Sequence, residues 1–184
     1  MPRRLTLAVA ALVVVAFAAA GCTPAEDEPR AADDWSQQYC TMLDNWIQAS
    51  SSADEMFASA DAAVRSDLEQ AMSTVTIATD TLSDGLHLLG PPETPAGAQV
   101  ERAVDELAAG ISRRVGRAND AVSADTSDQG VFPAFQTMGS VGTEMVGATA
   151  DIVRTNAELR RLDPELAQSL DASEACNDLQ DALS

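Results

Sequence analysis

The chain has no lysine, one histidine and one tyrosine, and nowhere does it carry the run of about 20 apolar residues that a helix needs to cross a bilayer. Each absence closes off some chemistry. With His87 as its only imidazole, the chain cannot build a two-histidine metal site, and Asp84-x-x-His87 is half of a di-metal helix motif whose second copy does not exist. The acidic loop carrying Asp120, Asp125 and Asp128 lacks the alternating ligands of a calcium loop. No metal or cofactor is implied. A Gly-x-Ser-x-Gly elbow is missing, as are the strand-to-helix glycine loops that cradle phosphates. Among 29 acidic residues almost any carboxylate pair can be drawn, so such pairs carry no information about catalysis. The chain is therefore read as something other than an enzyme, with catalytic residues none.

What is present starts at the first residue. Met1 is followed by Arg3 and Arg4, an almost uncharged apolar run from Leu5 to Ala20, and then Gly21-Cys22. That order is a signal peptide over residues 1–21. Ala19-Ala20-Gly21-Cys22 resembles the bacterial lipobox, in which the cysteine thiol receives diacylglycerol before cleavage makes it the new N-terminus. Ala19 stands where that motif usually has Leu, Val or Ile. The resemblance implies lipidation at Cys22 and an address on the extracytoplasmic face of the cell membrane. The alternative is ordinary cleavage after Ala18-Ala19-Ala20, which would release a soluble protein and leave a spare thiol near its start. Arg3-Arg4 suggests twin-arginine export, but Thr6 sits where that signal prefers an aromatic or apolar residue.

Removal of the leader leaves 163 residues and takes away two arginines but no acid, so the formal charge moves from −18 to −20. Such a surface repels nucleic acid and anionic headgroups, which excludes both as partners through direct charge contact. If Cys22 carries lipid, Cys40 and Cys176 remain, and an oxidising compartment favours a disulfide between them. Residues 22–33, with Pro24, Pro29 and several acids, form a polar tether about 40 Å long at full extension.

Residues 34–184 form one domain, and its apolar spacing is helical almost throughout, with no two-residue alternation. The expected fold is all-α: an up-down bundle of four to five helices clamped by one disulfide. The first helix is expected to start after Asp33 or Asp34, to place Trp35, Tyr39, Leu43, Trp46 and Ile47 on one face, and to end among Ser50, Ser51 and Ser52. Ser52-Ala53-Asp54-Glu55 has the form of a capping box that opens a second helical region, with Val64, Leu68, Met72, Val75, Leu82, Leu86 and Leu89 inward, until Gly90-Pro91-Pro92 stops it. A third helix runs on Val100, Val104, Leu107, Ile111, Val115 and Val122, with Asn119–Gly130 as the next connection. A fourth turns Phe135, Met138, Met145, Ile152 and Leu159 inward and carries Gly139, Gly142 and Gly147 for close helix contact. Asp163-Pro164 caps a fifth, running on through Leu166, Leu170, Ala172, Cys176, Leu179 and Leu183.

Trp35, Tyr39 and Trp46, with Phe135 and the methionines, are the one concentration of unusual side chains. Core packing accounts for them. The functional alternative makes them ligand-facing, around a small hydrophobic or haem-like ligand held between helices, with Tyr39, His87 or a methionine as axial partner.

The lipobox, the acidic tether, Tyr39-Cys40 early in the first helix, the Gly90-Pro91-Pro92-Glu93 break and the late Cys176 together resemble the small helical cell-envelope lipoproteins of actinobacteria. The resemblance implies a membrane-anchored, extracytoplasmic bundle acting as a non-catalytic binding or accessory module on an envelope protein or polymer. It carries over no catalytic residue.

Overall fold

The computed structural model describes residues 30–59, 65–124 and 131–183, and the side chains of 30–52, 66–124 and 136–183. The leader, Cys22, most of the tether, Val64 and the side chain of Phe135 lie outside the described residues. Within them the chain is all-helical: α1 (Ala32–Ser59), α2 (Arg65–Leu89), α3 (Gly97–Ser123), α4 (Val131–Leu162), α5 (Pro164–Ala172) and α6 (Glu174–Ala182). Helices α1 to α4 pack each on the next in chain order. The pair α5 and α6 then returns to lie on α1, so that α1 and α4 themselves barely touch.

Four boundaries differ from the sequence expectation. Helix α1 starts at Ala32, which puts Asp33 and Asp34 in its first turn, where carboxylates favour the helix dipole, instead of at its N-cap. It then runs through Ser50–Ser52 to Ser59 without a break. The reason is visible in the serines: Ser50 Oγ donates to Trp46 O and Ser52 Oγ to Gln48 O, both at 2.9 Å, so these hydroxyls bond one turn back inside the helix and cap nothing. In the same way α3 continues past Asn119 to Ser123, burying Val122. The expected fifth helix is two, because Ser173 is extended and its side chain accepts from Cys176 N, ending α5 and starting α6.

The other punctuation falls where the sequence put it. Gly90 ends α2 with φ of 64°, a conformation that L side chains avoid. A Cβ at Gly97 would run into the Pro92 carbonyl, so the α2–α3 turn closes only around glycine. Asp163 caps α5 by accepting from Glu165 N and Leu166 N, with Pro164 in the first turn. Its other oxygen accepts from Ala96 N at 3.2 Å, joining the α4–α5 corner to the α2–α3 turn. Burial alone would raise this carboxyl, but the Thr94 side chain and the backbone N–H groups around it prevail and hold it below its usual value.

Cys40 and Cys176 are bonded, with Cα atoms 4.9 Å apart and a separation of 136 positions in sequence. They tie α1 to α6 inside one core that also contains Leu43, Leu68, Met72, Val100, Ile111, Ile152, Leu159, Leu166 and Leu179.

Candidate functional site

The aromatic face of α1 belongs to this core. Trp35 and Tyr39 are fully buried and stacked on each other, their ring centroids 4.9 Å apart. Each polar tip has a partner. Trp35 Nε1 donates to Gly90 O at 2.8 Å, Tyr39 Oη donates to Asn156 Oδ1 at 2.7 Å, and Trp46 Nε1 donates to Thr79 Oγ1 at 2.9 Å. Burial pushes the Tyr39 phenol far above its usual value, and the nearby Arg160 offsets this only in part. A neutral, fully buried phenol already hydrogen-bonded to Asn156 is poorly suited to ligate iron. His87, the other axial candidate, stands exposed in the last turn of α2, and Met72 is core. The structure therefore does not gather Trp35, Tyr39 and His87 around a common space. Among the described residues no group of three or more His, Cys, Asp or Glu side chains is placed to hold a metal ion.

The ionic side chains make a staple between α3 and α4. Arg114 Nε lies 2.7 Å from Asp151 Oδ2, and Arg154 is 2.9 Å from Asp151 Oδ1, while Arg117 contacts Glu144 at 2.7 Å and Arg114 reaches the same carboxylate at 3.3 Å. Hydrogen bonds from Arg117, and then Arg114, hold the Glu144 carboxyl below its usual value, and those to Asp151 and Glu144 raise the guanidinium groups further. This is the opposite of what a general acid requires, which is a carboxyl pushed up toward neutral pH. The Arg114 guanidinium also occupies the place that a Cβ on Gly147 would take. Gly147 thus admits a side chain of α3, whereas Gly139 and Gly142 face open space and mediate no close helix contact, contrary to the sequence expectation.

Sequence reasoning missed the feature that stands out. Helix α4 has a second apolar stripe beside its core face: Val146 is 71% and Val153 49% exposed, in line with Gly142, Ala150 and Ala157. Two adjoining grooves follow this stripe. One, of about 390 Å³, lies between α1 and α4 and is bounded by Trp46, Ile47, Ser50, Met145, Val146 and Leu183. The other, of about 530 Å³, runs beside the disulfide between α4 and the α5–α6 pair, past Val153, Asn156, Arg160, Leu170 and Gln180. Of the four candidate ligand-facing residues, Trp46 borders a groove. The signal available in sequence was the excess of small and apolar residues around α4, which a search for a single inward face absorbs into the core.

Among the described residues no helix is long and apolar enough to cross a membrane. No protein-family model, no curated protein and no solved structure matches the chain.

Proposed function

We propose that the protein is a lipid-anchored lipoprotein on the extracytoplasmic face of the cell membrane, where it works as a non-catalytic binding module of the envelope. The observation that carries this reading is the Cys40–Cys176 disulfide. It uses two of three cysteines, belongs to an oxidising compartment, and leaves Cys22, at the end of a signal-peptide pattern, as the odd thiol that acylation would account for. The likeness to small helical lipoproteins of actinobacteria agrees with this. Binding is favoured over catalysis because the buried carboxylates Asp151 and Asp163 are fully engaged by arginines and backbone amides, while apolar side chains line an open surface.

The test is metabolic labelling with palmitate in an actinobacterial host. The wild-type chain is expected to take up label, lose residues 1–21 and sediment with membranes, while Cys22→Ala takes up none. An unlabelled chain with its leader uncut, found in the cytosol, would overturn the reading. The apolar grooves beside α4 favour a second reading, a carrier of a small hydrophobic ligand, with the ligand at the surface instead of at the aromatic face of α1. An apolar molecule seen by native mass spectrometry to co-purify with the protein would favour it.

A further inference from the structure

The groove beside the disulfide, of about 530 Å³, has the volume of a small-molecule site, for which about 300–1,000 Å³ is usual. Its walls all belong to described side chains, α4 on one side and α5 and α6 on the other. The Cys40–Cys176 disulfide forms its floor, for the two cysteines line it and are only 1% and 5% exposed. Along its length the lining changes character. Arg160 and Asp171, the two charged residues of the lining, meet at one end, where Arg160 Nε lies 3.0 Å from Asp171 Oδ1. Val153, two turns earlier on α4 and so about 10 Å away along the helix, and Leu183 line the apolar end.

Hydrogen-bond donors are left over at the charged end. Arg160 Nε is taken by Asp171 and Nη1 by the Asn156 carbonyl at 3.3 Å, which leaves Nη2 without a bond among the described residues. One turn earlier, Asn156 Oδ1 accepts from the buried Tyr39 Oη at 2.7 Å, so what this amide has left to offer the groove is its Nδ2 donor. Two donors one helical turn apart, one of them charged, call for a group that only accepts, and a carboxylate makes the strongest hydrogen bonds a guanidinium can. Asp171 already shows that this guanidinium is open to a carboxylate. Its side chain is 67% exposed against 32% for Arg160, and exposed pairs of this kind contribute little, so an incoming carboxylate displaces little.

We propose that this groove binds a single-chain carboxylic acid, its carboxylate held by Arg160 and Asn156 and its alkyl chain laid over the disulfide towards Val153 and Leu183. The negative charge of the chain as a whole makes Arg160 the condition for binding, since an acyl anion without that contact would be repelled from the surface. This deepens the ligand-carrier reading and rests on it for a bound apolar molecule, but its test does not depend on lipidation.

The full chain carrying Cys22→Ala, exported, purified without detergent and stripped of lipid, is titrated with laurate, dodecanol and dodecylamine, which share a tail and differ in head group. Laurate is expected to bind at least about tenfold more tightly than the other two, the difference a hydrogen bond to a charged group makes. Arg160→Gln should weaken laurate binding at least about tenfold and leave dodecanol binding unchanged. Asp171→Asn, which removes the competing carboxylate, should tighten laurate binding several-fold, whereas Asp178→Asn, the same change of charge outside the groove lining, should not. Ala157→Phe, which fills the groove from an exposed position on its wall, should abolish binding of all three. Dodecanol or dodecylamine binding as tightly as laurate, or laurate binding undiminished by R160Q, would overturn the carboxylate assignment while leaving a carrier of apolar molecules. Laurate binding unaffected by A157F would overturn the site itself, and no binding of any of the three would overturn the carrier reading along with it.

Discussion

Where α1 begins, the bundle is tied together many times over. Arg30 donates to the Leu88 and Leu89 carbonyls at the end of α2, its own carbonyl accepts from Glu93 N, Trp35 holds Gly90, and Asp163 binds the opposite turn. The loose ends of three helices, which would otherwise leave backbone groups unpaired, satisfy one another there. The outer face of α4 is built differently. There Val146 and Val153 stand exposed, and two grooves run beside them. Polar ties close the end nearest the N-terminal tether, whereas α4 turns apolar side chains to the surface.

Substitutions can break or sharpen that contrast. The largest effects belong to the tied end and its disulfide. Trp35→Ala is expected to cost about 3–5 kcal/mol, and Cys40→Ala with Cys176→Ala about 4–5 kcal/mol by loop entropy, both read from urea unfolding; Val146→Ser on the outer face of α4 should leave the midpoint nearly unchanged. If V146S proves as damaging as W35A, the contrast fails.

Next comes Tyr39, the only tyrosine in the chain. Because burial raises its folded pKa above the unfolded value of about 10, its contribution is complete below pH 10 and lost as pH climbs through the folded value. Absorbance at the tyrosinate wavelength should stay flat above pH 10 until the protein unfolds, and the folding constant should fall by up to about tenfold per pH unit. A phenol titrating near 10 in the folded protein would place Tyr39 outside the core.

Asp163→Ala is expected to cost about 1–2 kcal/mol at neutral pH. The sign of its pH dependence follows from its lowered pKa: the stabilisation is present above the unfolded value of about 3.9 and disappears as pH falls through the folded value, so wild type and variant should converge in acid. Parallel curves would mean that the cap acts without its charge. The smallest effects lie on α4. Gly139→Ala and Gly142→Ala should each raise stability by about 0.5–1 kcal/mol because open space surrounds them, while Gly147→Ala must displace Arg114 from Asp151 and Glu144 and should gain less or lose. Thermal midpoints of the three variants distinguish these cases.

Much of the fold was legible in the residues. Asp163-Pro164, Gly90-Pro91-Pro92 and the spacing of Val100, Val104, Leu107 and Ile111 each encode local events, a cap, a stop and an apolar face, that depend on near neighbours along the chain. Serine did not yield to the same reading. Ser52 begins a convincing capping box yet bonds back to Gln48, while Ser173, in a less distinctive setting, ends one helix and begins another and also donates to Gln37 Oε1 at 3.0 Å. A hydroxyl serves either role, and contacts from distant residues decide which. The candidate site was the least legible part. Trp35 and Tyr39 draw the eye by their chemistry, but Gly142, Val146 and Ala150 acquire meaning only once the face of α4 that the core covers is known.

By itself the sequence determined the helical class, the order of the helices and the chemistry of the two ends, because caps, breakers and apolar periodicity act within a turn or two. Tertiary structure decided that the aromatics are consumed by the core and that α4 has an apolar face to spare. Which of two apolar stripes is covered depends on which helices pack against α4, and that is decided only once the chain has folded back on itself.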